Sequence, residues 1–144
     1  MSKAIVIYAS STGETQSIAV SIAQGIRENG HEARTSNIVK IQDIKEIEEY
    51  DAVVLGSSLY KEDLLPEMKT LLHQLKQVEL QGKIGGSFAS CEWSEEAPDE
   101  ILVVMQNLHK MDTLDTCLKL RPPLLGNHHQ EAVNYGKEIG KRMG

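Results

Sequence analysis

The sequence predicts a three-layer α/β fold: a doubly wound, five-stranded parallel sheet between two layers of helices. Two observations predict it. Short apolar runs alternate with segments of helical spacing along all 144 residues, without repeats, low-complexity stretches or long linkers. That length holds one sizeable core and is too short for two ordinary domains, so residues 1–144 are expected to form a single domain. Strands that alternate with helices pair in parallel, because each helix carries the chain back across the sheet before the next strand begins.

The first strand is Lys3–Ala9, apolar from Ala4 onward and so buried on both faces. Gln16–Asn29 follows with Ile18, Ile22 and Ile26 on one face beside Ala19 and Ala23, an amphipathic helix that stops at Asn29-Gly30. Glu32–Asn37 alternates as a second strand and leads into a mostly polar stretch carrying Ile38, Ile41, Ile44 and Ile47. Ala52–Leu55 is the third and most apolar strand, and Gly56–Asp63 is read as the loop after it. Pro66 opens a helix through Gln77 with Met68, Leu71, Leu72 and Leu75 inward. Lys83–Ser90 is a fourth strand, and Pro98 starts a helix carrying Ile101, Leu102, Met105 and Leu108. Thr113–Leu120 completes the strands and Gln130–Arg142 is the last helix.

The segment from Ser10 through Ser11, Thr12, Gly13 and Glu14 to Thr15 lies between the first strand and the first helix. A helix N-terminus presents unpaired N–H groups and the positive end of the backbone dipole, which suits a phosphate. Four hydroxyls and a glycine add donors and room, and the segment contains no Lys or Arg. Such a phosphate is held by neutral donors, which suits a retained mononucleotide better than phosphoryl transfer. The competing account is an ordinary capping loop without a ligand. No Gly-Lys-Ser/Thr triplet is present, and Gly13 stands alone where a dinucleotide fingerprint needs three glycines.

What remains is close to the S/T-x-T-G-x-T loop of flavodoxins, and the chain resembles that family from Lys3 to Met143. The resemblance implies strand order 2-1-3-4-5 and a ligand site where the order reverses, between the first and third strands. Three loops then converge: Ser10–Thr15, Gly56–Asp63 and Ser90–Ala97. In flavodoxins the second and third present aromatic rings to the flavin, and Tyr60 and Trp93 occupy those places. Aromatic residues are 4% of this chain, so one in each loop is informative. The implied cofactor is FMN. Ser10, Ser11, Thr12, Gly13, Glu14 and Thr15 would surround its phosphate. Ser58, Leu59, Tyr60 and Lys61, with Ser90, Cys91, Glu92 and Trp93, would surround its ring. The short connection after the fifth strand is similar to that of short-chain flavodoxins, and Lys83–Ser94 also resembles the flavodoxin-like domain of flavodiiron proteins. Two departures stand out. Glu14 replaces a common Asn in the phosphate loop, and Lys61 stands where many flavodoxins have the Gly whose peptide turns over on flavin reduction.

A formal net charge of −6 argues against nucleic acid or an anionic membrane as partner and favours redox proteins with a basic docking face. Glu62, Asp63, Glu92, Glu95, Glu96, Asp99 and Glu100 are expected to form an acidic rim around the flavin edge. Cys91 and Cys117 have no metal-ligand spacing, and no segment has the length of a membrane span or a cleavable leader pattern. A reduced, cytoplasmic monomer is the expectation. His128 and His129 read as a solvated helix start rather than a metal site. The expected function is an FMN electron carrier between redox partner proteins, its chemistry supplied by the cofactor. The alternatives are a flavin-dependent reductase and the flavodoxin-like module of a flavodiiron-type system.

Overall fold

A computed structural model describes residues 2–10, 13–60, 63–90, 97–121 and 127–144, with the side chains of Tyr60 and Asn127 outside that description. In chain order the elements are β1 (Lys3–Ala9), α1 (Gly13–Glu28), β2 (Glu32–Asn37), β3 (Ala52–Tyr60) and β4 (Asp63–Leu64). They continue with α2 (Pro66–Gln74), β5 (Ile84–Ser90), α3 (Asp99–Asn107), β6 (Asp112–Thr113), β7 (Leu118–Leu120) and α4 (Asn127–Arg142). The sheet order is β2-β1-β3-β5-β6, with β7 also pairing β5 and β4 adding an antiparallel pair to β3. All other pairings are parallel. This is the doubly wound order expected, with the fifth position shared by β6 and β7.

The alternation within β1, β3 and β5 sends side chains to two cores. Ile5, Ile7, Val53 and Leu55 meet Met68 and Leu71 of α2 and Ile101 and Met105 of α3. Ala4, Val6, Ala52, Val54 and Phe88 meet Ile18, Ile22 and Ile26 of α1 and Ile139 of α4. The helices α1 and α4 touch backbone to backbone. A Cβ at Gly25 would lie 2.0 Å from the Val133 carbonyl oxygen, and one at Gly136 would lie 2.0 Å from that of Ile22. After α1 the chain turns through Gly30 at φ +87°, a conformation a side chain would oppose.

Several boundaries differ from the sequence reading; besides α1 starting at Gly13 and α4 at Asn127, four are instructive. β3 does not stop at Leu55, because Gly56, Ser57 and Ser58 pair with Phe88, Ala89 and Ser90 of β5. Gly56 serves packing, since a Cβ there would lie 2.1 Å from the Phe88 ring. The fifth strand is broken between Thr113 and Leu118, and Tyr135 of α4 fills the break. Its hydroxyl accepts from the Ser87 N–H at 3.1 Å and donates to the Thr116 carbonyl at 2.8 Å. Burial raises the Tyr135 pKa well above its ordinary value, so the phenol stays a donor. The helix α3 ends at Asn107. The N–H groups of Leu108 and His109 both reach the Val104 carbonyl, Lys110 takes φ 54°, and Met111 fills the inner position while Leu108 is 60% exposed. The helix α2 ends at Gln74 and tightens into a 3₁₀ turn over Leu75–Gln77.

Candidate functional site

The strand order reverses between β1 and β3, and the C-terminal ends of β1, β3 and β5 meet there in register. Ala9 pairs with Ser57, and Ser58 with Ser90. The fold thus brings Ser10, Ser58, Leu59, the Tyr60 backbone and Ser90 to one edge, beside the first turn of α1 with Gly13, Glu14 and Thr15. Ser11, Thr12, Lys61, Cys91, Glu92 and Trp93 lie outside the described residues, as does the Tyr60 side chain.

The first turn of α1 has the properties an anion needs. Thr15 is fully buried, and its Oγ1 has no hydrogen-bond partner among the described residues. A buried hydroxyl left unpaired costs about 1–3 kcal/mol, and an oxyanion at the helix start would remove that cost. Gly13 is exposed, and among the described residues a Cβ built on it would meet nothing within 4 Å. Packing among the described residues therefore does not call for glycine at this position. Its carbonyl accepts from Ser17 Oγ at 3.2 Å, the ordinary back-bond of a first helical turn. These residues fit a phosphate held by backbone N–H groups and hydroxyls.

The second segment is a hairpin rather than a free loop: Leu59 pairs with Leu64 and Tyr60 with Asp63. Three contacts fix its return leg. Ser57 Oγ accepts from the Leu65 N–H at 3.3 Å, Asp63 Oδ1 accepts from the Leu64 N–H at 2.8 Å, and Asp63 Oδ2 pairs with Lys69 of α2. The Lys69 hydrogen bond, then the Leu64 N–H, lowers the Asp63 pKa. Asp99 is likewise paired, with Lys119 at 2.9 Å. At two positions of the expected acidic rim, Asp63 and Asp99, the carboxylate is paired with a lysine of this chain. Ser57, Lys69 and Lys119 were not singled out from the sequence. Nothing in their local spacing marks them, since each partner lies on a different element.

His129 is exposed as expected of a solvated helix start, but its Nδ1 lies 2.8 Å from Ser21 Oγ of α1, and the Nδ1 of His128 is buried without a partner. Both imidazoles line a cavity of about 210 Å³ between the two helices. Among the described residues no three His, Cys, Asp or Glu side chains group as metal ligands, and no helix is long and apolar enough to cross a membrane.

Comparison with known proteins decides the family. The flavodoxin domain matches residues 5–121. The chain belongs to the flavodoxin family. A flavodoxin from the domain Archaea superposes with a TM-score of 0.91 at 30% identity, covering 98% of both chains. The flavodiiron protein of Giardia intestinalis shares the fold with a TM-score of 0.87 at 22% identity, over 98% of this chain and 36% of that one. An uncharacterized protein of Methanocaldococcus jannaschii is 27% identical over 140 residues, which are 95% of this chain and 36% of that protein. The chain therefore spans about a third of the length of two of these relatives and nearly all of the third.

Proposed function

We propose that the chain binds FMN noncovalently and carries electrons one at a time between redox proteins. The unpartnered, fully buried hydroxyl of Thr15 in the first turn of α1 is the observation that carries this reading. Ser10, Ser11, Thr12, Gly13 and Thr15 hold the phosphate through hydroxyls and backbone N–H groups, and Glu14 turns its carboxylate away from the dianion. Tyr60 and Trp93 flank the ring and restrict water at its faces. The backbone at Ser58, Leu59, Lys61, Ser90, Cys91 and Glu92 bonds the polar edge of the ring. The flavin supplies the electron chemistry, and the protein fixes its orientation and surroundings.

Residues 1–144 act as one FMN domain, monomeric and cytoplasmic, and its partners present a basic face to the acidic residues near the ring. Glu62, Glu92, Glu95, Glu96 and Glu100 supply that attraction, since Asp63 and Asp99 are paired internally. A second reading, a module of a longer flavodiiron-type system, is favoured by the chain's covering about a third of two longer relatives.

The test is titration of cofactor-stripped protein with FMN, followed by flavin fluorescence. Stoichiometric quenching is expected. Thr15→Val, which keeps the volume and removes the hydroxyl, should weaken binding by about tenfold, the equivalent of one hydrogen bond of about 1.4 kcal/mol. Protein that leaves FMN fluorescence unchanged refutes the reading. Turnover of a quinone with a nicotinamide donor, without any added reductase protein, would replace the carrier by an enzyme.

A further inference from the structure

The end of the sheet opposite the flavin edge holds a different kind of recess. It occupies about 520 Å³ and is lined by Lys3 and Ala4 at the start of β1, Arg27 in the last turn of α1, His31, Glu32, Ala33 and Arg34 at the start of β2, and Tyr50. In a protein with a formal charge of −6, this lining carries three permanent cations against one carboxylate.

None of the three cations is in an ion pair within the described residues, whose five ion pairs all involve other lysines and Arg142. Each is held in place by a neutral group. Arg27 Nη2 donates to the Ala33 carbonyl at 2.7 Å, Arg34 Nη1 donates to the Tyr50 hydroxyl at 3.1 Å, and Lys3 Nζ stands 5.1 Å from the centre of the Tyr50 ring. A guanidinium has five N–H donors, so each arginine keeps donors to spare while its position is set. His31 also lines the recess. Its Nε2 donates to the Gly140 carbonyl at 2.9 Å, which fixes the ring at the rim, and its Nδ1 is buried without a partner among the described residues.

Opposing charges are present and do not cancel the recess. Glu32 belongs to the lining, Asp51 accepts from the Lys3 backbone N–H at 2.9 Å, Glu46 acts on Arg34 from a distance, and the carbonyl end of α1 lies close by. Positioned cations without carboxylate partners are the arrangement of an anion receptor, because the cost of fixing their geometry is met before a ligand arrives. The cations come from three elements onto one recess instead of running along a face, which favours a compact ligand over an acidic protein segment.

We propose that this recess is a second binding site, for a small molecule bearing a diphosphate group. Two linked phosphoryl groups offer enough negative charge and acceptors for Lys3, Arg27 and Arg34 together, with planar donor forks facing phosphate oxygens. The site is separate from the FMN site by the length of β1, about 20 Å at 3.3 Å per residue, so both are filled at once. It does not depend on the reading of the flavin edge.

The experiment titrates the FMN-loaded chain at low salt with inorganic pyrophosphate, and separately with ADP, while backbone amide NMR shifts are followed. Saturable shifts at residues 3–4, 27 and 31–34, with those of the α1 N-terminus unmoved, are expected. Arg27→Gln and Arg34→Gln should each weaken binding at least about tenfold, as loss of a charge-assisted hydrogen bond does. Lys40→Gln, an exposed lysine beyond the other end of β2, should leave it unchanged. Tighter binding of ADP than of pyrophosphate identifies a nucleotide ligand, and equal binding identifies the bare diphosphate. Shifts that fail to saturate, that survive both arginine substitutions, or that arise only with an oligoglutamate peptide overturn the proposal.

Discussion

Tyr135→Phe removes one oxygen atom from the core and should cost far more than its size suggests. Ser87 pairs with Leu55 of β3 on one side, but on the other side no strand reaches it, because β6 pairs with Ile84 and Gly85 and β7 begins opposite Phe88. The phenol oxygen takes that place, accepting from the Ser87 N–H and donating to the Thr116 carbonyl. Ser87 is fully buried, so its N–H is left without water once the oxygen is gone. That orphaned donor costs about 1–3 kcal/mol, whereas exposed Thr116 turns to solvent at little cost. A loss of about 2 kcal/mol is expected, or about 6 °C in melting temperature for a chain of this length. Urea unfolding followed by far-ultraviolet circular dichroism measures it as a fall in midpoint at constant slope. The pH dependence supplies a second check. The Tyr135 pKa is raised in the folded state, so above about pH 10 the unfolded chain sheds this proton while the folded chain keeps it. Wild-type stability then declines relative to the phenylalanine variant, and the gap between them narrows. A variant within 0.5 kcal/mol of wild type, or a gap that widens above pH 10, refutes the bridging role.

Gly136→Ala drives a methyl group into the Ile22 carbonyl oxygen and should destabilise by about 3 kcal/mol or more, since α1 and α4 must separate, which the same urea titration reads. Lys110→Gly relieves a non-glycine residue at φ 54° where α3 ends, and a gain of about 0.5–1 kcal/mol in unfolding free energy is expected. His109 is 8% exposed, and burial, reinforced by the nearby charge of Lys76, lowers its pKa below 6.5. The unfolded state therefore binds its proton first, so stability should fall as pH drops below about 6.5, and His109→Gln should flatten that fall in thermal melts between pH 7 and 5.

What could be read from the sequence followed how local each determinant is. β1 and β2 have the expected bounds, because an unbroken apolar run and a half-buried alternation are properties of the strands themselves. β3 does not, because Gly56-Ser57-Ser58 has the composition of a turn. Only the Phe88 ring on Gly56 and the pairing with Ala89 and Ser90 reveal a strand there. The break in the fifth strand depends on Tyr135, 48 residues from the Ser87 N–H it satisfies, and no window of sequence contains both. Leu108 looks helical by spacing, and a glycine after it would have signalled the stop, but the chain turns at Lys110 without that signal. The segment Ser10–Thr15 stands out in the sequence because its hydroxyls lie close together along the chain. The pairs Asp63–Lys69 and Asp99–Lys119 do not, because each joins two elements that meet only in the fold.

These two ion pairs bear on how the site treats charge. Paired with lysines, Asp63 and Asp99 themselves add little net field near the flavin edge, and the pairs are screened by solvent as exposed pairs are. The phosphate would be held by fixed dipoles, the N-terminal N–H groups of α1 and hydroxyls such as Thr15, without a mobile cation in the segment Ser10–Thr15. Dipoles at contact distance act over a few ångströms and are weakly screened, whereas attraction between separated charges decays within about 8 Å at physiological salt. Cofactor retention and partner encounter are therefore governed by different parts of the electrostatics. Raising the salt should slow association with a basic partner through the other acids of the proposed rim while leaving the phosphate contacts nearly unchanged. An electron carrier needs that separation, since its cofactor must stay bound through many encounters in which the partner must leave.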